Sequence, residues 1–407
     1  MNWTIEGVTI PTSEDNLNNI VIEIENDSIA SVSKKSAHTD IKLSIENGVA
    51  VPGLINGHDH LIGNYYPKIG NGPYENWLPW DNDLKSSPVY RERQQIENRD
   101  LYLSAAYRHL ITGVTTVSDH IPPFVAEPFY DLLPMKAIRN YSLAHSLSSF
   151  ALNWGDPTSE YKRAIDNDIP FVTHISEGFD SESRAELDAL DKKGALGGHS
   201  VLVHGIAFSE QDMDRIKAAG ASVVWCGDSN MFMYNKTINI GMLIDKGINA
   251  CIGTDSPASG GLNLLYEMKF DRTLYRKLTG KILPDQKIVE MVTLNPAKAF
   301  RLYKNTGIKT GNLADIAVFR HNGRNAWQSI VEAEFEDVLL VIIEGLPAYG
   351  KAEYSYIFDE LGVKYQHVVI KGEERVIIGD PVGVMKRISR AVGFKKELPY
   401  LPVEFDF

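Results

Sequence analysis

His58 and His60 stand two residues apart, after the apolar segment 49–55 and a turn at Asn56-Gly57. On an extended backbone, residues i and i+2 point to the same side of the strand. Two imidazoles on one side of a buried strand's end make half of a metal site. The spacing alone favours the simpler interpretation, a surface histidine pair beside a turn, so the rest of the chain has to decide between the two.

Further polar residues follow a series of short apolar runs. From residue 114 onwards these runs alternate with helical patterns, which predicts a parallel sheet with helices outside it. The residues at the ends of the runs include His120, His145, His174, His204 and Asp255. In a parallel barrel the chemistry lies at the carboxyl ends of the strands. Six of the 11 histidines fall at such ends, so we expect them to converge.

Three of these histidines and one carboxylate form a candidate metal site. Neutral imidazoles with a single carboxylate suit zinc or iron, and His58, His60 and His174 with Asp255 supply that set. A bound cation lowers the pKa of water to about 7, and a general base must then collect the proton. Glu177, three residues after His174, is the predicted base; Asp255 can also serve. The alternative for Glu177 is a carboxylate that stabilises a helix N-terminus.

Composition narrows the classes of partner and compartment. The 407 residues are 43% hydrophobic and 23% charged, with a formal charge of −12, which disfavours nucleic acid and anionic membranes as partners. Two cysteines in so long a chain, Cys226 and Cys251, predict buried thiols in a reducing cytoplasm rather than a disulfide framework. The sequence also predicts no signal peptide and no membrane helix. Serine-hydrolase and phosphate-loop motifs are absent.

The pattern also predicts how the chain is divided. Residues 1–50 read as short strands, and strands resume after residue 304, so residues 1–50 plus 305–407 are predicted to form a β-sandwich domain with a C-terminal extension. Residues 51–304 are predicted to form the hydrolase barrel. An aromatic segment, 62–88, includes Trp77 and is interpreted either as a pocket wall or as a packed loop. A single helix is predicted over 89–112.

The motifs resemble those of the amidohydrolase superfamily, in the chlorohydrolase- and deaminase-like group that includes atrazine chlorohydrolase, guanine deaminase and S-adenosylhomocysteine deaminase. The matching segments occur in the family's order: 52–60, 112–117, 174–177, 203–205, 229–230, 253–256, 293–297 and 311–318. The resemblance covers roughly residues 1 to 380. It implies an α/β fold, a distorted (β/α)8 TIM barrel with a small β-sandwich formed from both chain termini.

The resemblance also implies roles for particular residues. One metal ion, with Zn2+ favoured over Fe2+, is expected to be held by the three histidines and Asp255 named above. His204 is expected to polarise the attacked group or the water, and Glu177 to shuttle the proton. His120 and His145 match no family ligand and are predicted, with Trp77 and Asn230, to contact substrate.

Two departures from the family pattern bear on the site. Only seven strand ends are visible, so either one βα unit is abbreviated or residues 148–154 form an irregular strand between His145 and Phe171. Asp228 adds an acidic group beside Ser229 and Asn230. The absence of a lysine at a strand end, where it could form a carbamate bridge, favours one metal over two.

Residues and resemblance together predict a metal-dependent hydrolase acting on a C–N bond, with deamination of an amino-substituted heterocycle as the preferred reaction. The same site allows opening of a cyclic amide or hydrolytic dehalogenation. A non-catalytic interaction protein is disfavoured because the ligand set is complete. The predicted partner is a small heterocyclic substrate; the oligomeric state stays open, with a homodimer among the alternatives.

Overall fold

Strands are distributed over the whole chain in the computed structural model, which describes residues 2–12, 16–35, 39–323 and 325–407. In chain order they are β1 (Asn2–Ile10), β2 (Leu17–Glu25), β3 (Ser28–Ser33), β4 (Lys42–Ser44), β5 (Gly48–Pro52), β6 (Leu54–Asp59), β7 (Val114–Asp119), β8 (Lys136–Ala137), β9 (Ser142–Ala144), β10 (Phe171–Ile175), β11 (Ser200–His204), β12 (Ser222–Trp225), β13 (Asn249–Ile252), β14 (Ile316–Arg320), β15 (Val338–Ile343), β16 (Leu346–Lys351), β17 (Tyr365–Ile370) and β18 (Glu373–Ile378).

Helices occupy most of the connections between the central strands. They are α1 (Trp77–Ser86), α2 (Pro88–Arg93), α3 (Asn98–Leu110), α4 (Pro123–Tyr130), α5 (Pro157–Asn167), α6 (Ser181–Lys192), α7 (Glu210–Ala219), α8 (Gly227–Tyr234), α9 (Ile240–Asp245), α10 (Leu264–Thr279), α11 (Asp285–Met291), α12 (Leu294–Ala299), α13 (Ala326–Val331), α14 (Ser355–Glu360) and α15 (Pro381–Val392). In the part of the chain that the structure describes, none of them is both long and apolar enough to cross a lipid bilayer.

The central strands are parallel and lie in two sheets. Strands β9 to β13 form a five-stranded sheet in chain order, and β6, β7 and β8 form a second sheet of three. An isolated parallel bridge between Asp59 and Asp255 links the first strand of one sheet to the end of the other. The strand ends that carry the histidines therefore lie at one edge. Among the described residues, β8 and β9 are not hydrogen-bonded to each other.

The eighth central strand does not lie at residues 148–154, which was one of the two alternatives that the sequence left open. Residues 148–154 contain bends and turns but no strand, and α5 connects β9 to β10. The additional strand is β8, which pairs with β7 and has no helix between itself and β9. A strand of two residues is too short to show any alternation of polar and apolar side chains, so no periodicity could have revealed it.

Two predictions about the segment before β7 are wrong. The segment 62–88 contains α1, whose first turn is capped by the Asn76 side chain accepting from the Leu78 N–H at 3.1 Å. The single helix predicted over 89–112 is divided into α2 and α3 by residues 94–97. Ser87 caps α2 and Pro88 occupies its first position, where the missing N–H costs nothing.

Both ends of the chain meet in one ten-stranded sheet with the order β17-β18-β16-β15-β14-β5-β1-β2-β3, to which β4 is added beside β1. The antiparallel pairing of β5 with β14 joins the N-terminal strands to the C-terminal ones. Apolar side chains of this sheet, among them Trp3, Ile22 and Leu340, form a separate core cluster. Because β5 continues almost directly into β6, this sheet fixes the start of the strand that carries His58.

Candidate active site

The ends of β6, β10 and β13 bring the four predicted ligands together. The Asp255 N–H donates to the His58 carbonyl at 3.0 Å, and the His60 N–H donates to the Asp255 carbonyl at 3.2 Å. Asp255 Oδ1 lies 3.6 Å from His58 Nε2 and 3.4 Å from His60 Nε2. The nitrogens of His58, His60 and His174 lie within 4.8 Å of one another. Three nitrogens and one oxygen therefore face a common point.

Neighbouring groups orient these donors. The His174 Nδ1–H donates to the carbonyl of His145 at 3.0 Å, which leaves Nε2 without a proton and free to bind a cation. The hydroxyls of Ser229 and Ser259 both donate to Asp255 Oδ2 at 2.6 Å, so that Oδ1 is the oxygen that faces the histidines. Asp255 has a φ of +56°, in the left-handed region, and these contacts hold it there.

The donor set fits a divalent cation. Ligand atoms about 2.0–2.2 Å from a shared zinc ion are at most roughly 4.4 Å apart, which accommodates the two nitrogen–oxygen distances. Burial lowers the pKa of His58 to about 4 and that of His174 well below its ordinary value, so both imidazoles are neutral at pH 7. Neither nitrogen of His58 has a hydrogen-bond partner among the described residues, although the side chain is fully buried. A cation would satisfy that buried group.

Glu177 and His204 form a second pair beside His174. The Tyr234 hydroxyl donates to Glu177 Oε1 at 2.7 Å, and His204 Nε2 lies 3.7 Å from the same oxygen. Burial raises the pKa of Glu177, with the nearby Asp255 charge acting in the same direction. The His204 Nδ1–H donates to Asn230 Oδ1 at 2.9 Å, which leaves Nε2 facing the carboxylate. The pair can therefore hold and exchange a proton.

One short helix, α8, contacts all three of these functional side chains. Ser229 binds Asp255, Asn230 binds His204, and Tyr234 binds Glu177. The Glu267 carboxylate accepts from the Asp228 N–H at 2.9 Å and so satisfies the first turn of this helix. Tyr234 was not among the residues predicted from the sequence. The spacing of four residues from Asn230, which places both on one helix face, is the signal that could have indicated it.

A cavity of about 200 Å³ opens onto the cluster. Two of the predicted substrate-contacting residues, Trp77 and His145, line it, and their rings are 4.9 Å apart at 68°. The Leu152 N–H donates to His145 Nδ1 at 3.4 Å, so the other ring nitrogen, Nε2, carries the proton and can donate to a ligand. Apolar walls are contributed by Ile62, Tyr66, Trp80, Leu84, Leu152 and Met233.

The other two predicted substrate contacts, His120 and Asn230, do not lie on this wall. Asn230 is fully buried and holds His204. His120 stacks on His174 with ring centroids 4.0 Å apart, and its Nε2–H donates to the Ala144 carbonyl at 3.3 Å. The two residues were singled out by their positions in the chain, which could not show that other side chains separate them from the cavity.

Asp59, between His58 and His60, points away from them into a polar network. Its Oδ2 accepts from Arg108 Nη1 and from the Thr254 hydroxyl, both at 2.7 Å. Although burial raises it, the Arg108 guanidinium holds the pKa of Asp59 well below its ordinary value. Arg108 also donates to the carbonyls of Gly261 and Leu262. The network fastens β6 to α3 and to the segment after β13, and the sequence analysis did not identify it.

Comparison with known proteins assigns the family. The model of the Amidohydrolase family matches residues 164–373, just over half of the chain. The chain therefore belongs to the amidohydrolase family, and it is a hydrolytic enzyme. The predicted resemblance and the predicted enzyme class are both confirmed.

Individual relatives cover most of the chain. A 5-methylthioadenosine/S-adenosylhomocysteine deaminase of Pyrococcus furiosus is 25% identical over 355 residues, which is 72% of this chain and 80% of the relative. A 5'-deoxyadenosine deaminase of Methanothrix thermoacetophila is 26% identical over 418 residues, covering 92% and 96%. The crystal structure of an atrazine chlorohydrolase from Arthrobacter aurescens complexed with zinc has a TM-score of 0.77 at 17% identity, covering 96% and 100%. This last likeness establishes the fold.

Proposed function

We propose that the protein is a metal-dependent aminohydrolase that replaces the exocyclic amino group of a small heterocycle by oxygen and releases ammonia. The observation that carries this proposal is the alignment by α8 of a metal-facing carboxylate, a histidine and a buried glutamate around one cavity. The deaminase names of the two relatives support the same reaction.

The proposal assigns the metal to His58, His60, His174 and Asp255. When bound there, a divalent cation supplies Lewis-acid chemistry, lowering the pKa of water towards about 7 and polarising the bond to be hydrolysed. We propose zinc, because nitrogen donors with one carboxylate suit it, and the zinc in the structurally similar chlorohydrolase is consistent with that choice.

The protein's own groups move the protons. Tyr234 occupies Glu177 Oε1, which leaves Oε2 to accept a proton from the attacking water and to deliver it to the departing nitrogen. The carbon–nitrogen bond breaks as ammonia leaves with this proton. His204 is proposed to contact the attacked group through Nε2, because Nδ1 is committed to Asn230. His145 Nε2–H and the Trp77 ring are proposed to orient the heterocycle.

We also infer that β6 to β13 make up a distorted (β/α)8 barrel. The parallel order of the strands and the bridge between Asp59 and Asp255 support closure on one side. The absence of a helix between β8 and β9 accounts for the distortion on the other side. Such a barrel places the proposed ligands at its carboxyl-terminal face, as expected for a catalytic site.

Metal analysis followed by ammonia-release assays tests the reaction. We expect about one metal per chain, and ammonia release from at least one member of an aminopurine, pterin and aminopyrimidine panel. Replacing Glu177 by Gln should lower turnover by about 10²–10⁴-fold while the metal content stays the same, because the amide cannot transfer the proton. As a matched control, Glu160→Gln removes a partly exposed carboxylate paired with Arg163 and should change neither quantity.

The outcomes separate the steps of the proposal. Full turnover by the Glu177→Gln variant would remove Glu177 from the mechanism. A hydrolysed product without ammonia would instead identify cyclic amide opening or dehalogenation at the same site. Active protein without metal would contradict the assignment of the four ligands.

A further inference from the structure

Tyr66 lies between two cavities. Its side chain lines the catalytic cavity of about 200 Å³, and it also lines a second cavity of about 390 Å³. The second cavity is enclosed by the segment 65–68, the loop 257–262, Tyr266 and the C-terminal segment 396–400. None of the proposed metal ligands lines it.

The partition between the cavities is well anchored. The Tyr66 side chain is 95% buried, and its ring stacks on that of Tyr90 with centroids 6.2 Å apart and an interplanar angle of 6°. The loop that completes the partition contributes Ser256 and Ala258 to the catalytic cavity and Pro257 to the second one. A backbone hydrogen bond from the Ile69 N–H to the Ala258 carbonyl, 3.1 Å long, joins the two segments.

The two cavities differ in charge as well as in size. The charged side chains on the catalytic cavity are the acids Asp81, Glu177 and Asp255, and no lysine or arginine of the described residues lines it. The second cavity is lined by two lysines, Lys68 and Lys396, and by two acids, Asp228 and Glu397. Lys68 Nζ lies 2.7 Å from an oxygen of Asp228. The protein side chains therefore make the catalytic cavity the more acidic of the two.

We propose that Tyr66 sets the size limit of the substrate, so that the enzyme accepts ring-sized amino-heterocycles and rejects purine nucleosides with a long 5' substituent. This inference rests on the proposed function. Pockets for drug-sized ligands typically enclose about 300–1,000 Å³, and the catalytic cavity is smaller than that range. The substrates in the relatives' names carry a sugar on the purine and, in one case, a zwitterionic amino-acid tail on that sugar, so they are larger than a free base, and the catalytic cavity has only about 200 Å³.

Removing the Tyr66 side chain should connect the cavities. Metal-loaded wild type and Tyr66→Ala are compared for ammonia release from adenine, guanine, cytosine, 5'-methylthioadenosine and S-adenosylhomocysteine. We expect wild type to favour a free base, and Tyr66→Ala to raise the ratio of kcat/KM for the thioether nucleosides to kcat/KM for that base by at least about tenfold. Tyr66→Leu, which keeps more apolar volume, tests the same ratio should the alanine variant not fold.

The matched control is Tyr266→Ala. This side chain borders only the second cavity and is 37% exposed, so its removal enlarges that cavity without opening the partition. The substrate ratio of this variant should equal that of wild type. Equal kcat/KM of wild type for S-adenosylhomocysteine and for the best free base would overturn the proposal. An unchanged ratio in both folded Tyr66 variants would also overturn it.

Binding measurements distinguish failure of the partition from failure of the reaction. Calorimetric titration of adenine and 5'-methylthioadenosine into Glu177→Gln protein, with and without Tyr66→Ala, reports fit without turnover. If no compound releases ammonia but Tyr66→Ala shifts binding towards the nucleoside, the partition stands and the proposed reaction fails. If neither compound binds to either variant and no member of the panel releases ammonia, both proposals fail.

Discussion

The two walls of the catalytic cavity are built differently. On one side the cavity is lined by Asp255, His204 and Glu177, and behind them α8 supplies the hydroxyl, amide and phenol groups that are hydrogen-bonded to these side chains. On the other side, the segment 62–84 presents mainly aromatic and aliphatic surfaces. Trp80 shows the contrast, because its indole N–H donates to the Ile69 carbonyl within its own segment rather than to a catalytic group.

This difference separates two tasks that one cavity must perform. Hydrogen bonds from α8 fix which atom of Asp255, His204 and Glu177 faces the reacting centre, and that is a condition for the chemical step. The aromatic wall excludes water and defines the shape that a ligand must have. We therefore expect changes on the α8 side to lower kcat, and changes on the aromatic side to alter KM and substrate choice.

Loss of the carboxylate that α8 orients should have the largest effect. In Asp255→Asn the neutral amide binds a divalent cation poorly, so we expect the metal content to fall from about one per chain towards zero. A catalytic cation lowers the activation free energy by several kcal/mol. Without it, turnover should fall by about 10³-fold or more. Elemental analysis and ammonia release measure both quantities.

The control is Asp81→Asn, which removes another carboxylate on the same cavity and should retain the metal. Equal metal loss in both variants would contradict the assignment of Asp255 as a ligand.

Removing the phenol that holds Glu177 should have an intermediate effect. Tyr234→Phe deletes the hydroxyl that donates to Oε1, and a hydrogen bond to a charged group is worth roughly 1.5–3 kcal/mol, so kcat should fall by about 10–100-fold. KM and metal content should not change. If Tyr234 acts through Glu177, the same substitution in the Glu177→Gln variant should cause no further loss, whereas a general structural role would add its loss to that variant.

The control for this prediction is another buried tyrosine. The Tyr102 hydroxyl is buried and has no hydrogen-bond partner among the residues that the structure describes, so Tyr102→Phe should leave kcat unchanged. A rise in KM with unaltered kcat in Tyr234→Phe would assign Tyr234 to ligand fit instead, and the distinction between the walls would fail.

Positions along the chain were enough to group the four side chains that we propose as metal ligands. A histidine at the end of a parallel strand has one direction in which to point, so the strand-end rule is sufficient to group His58, His60, His174 and Asp255. The same rule could not show which strand-end residues reach the cavity. His120 follows β7 in the same manner, yet it stacks against His174. Side-chain packing between neighbouring strands determines whether such a residue reaches the cavity.

Local patterns indicated Asn230, and the spacing could have indicated Tyr234, but they could not show what α8 contacts. Ser229, Asn230 and Tyr234 have unremarkable types for a short helix, and their partners are between 26 and 57 residues away in the chain. Their contacts become visible only when the tertiary arrangement of β11, β13 and α8 is known. The short strand β8 was missed for a related reason, since its two residues, Lys136 and Ala137, are placed by pairing with β7 rather than by their own preferences.

Several expectations from the sequence stay predictions. They are the domain division at residues 1–50 plus 305–407 and 51–304, the cytoplasmic location and the homodimer. Burial of Cys226 and Cys251 is confirmed, because both thiols lie in the core and are fully buried. The aromatic segment was left between two interpretations, and the pocket wall is the one that applies, because Tyr66, Trp77 and Trp80 line the cavity.

The smallest effect is expected on the aromatic wall. Trp77→Leu removes an aromatic face that lies against His145 and lines the cavity. Since an aromatic pair contributes about 0.5–1.5 kcal/mol beyond its buried area, KM should rise by roughly 2- to 13-fold while kcat stays within about twofold. Trp327→Leu in α13, which does not line the cavity, should change neither constant. If Trp77→Leu lowered kcat as strongly as Tyr234→Phe does, the aromatic wall would share in orienting the reacting groups, and fit and chemistry would not be separable in this cavity.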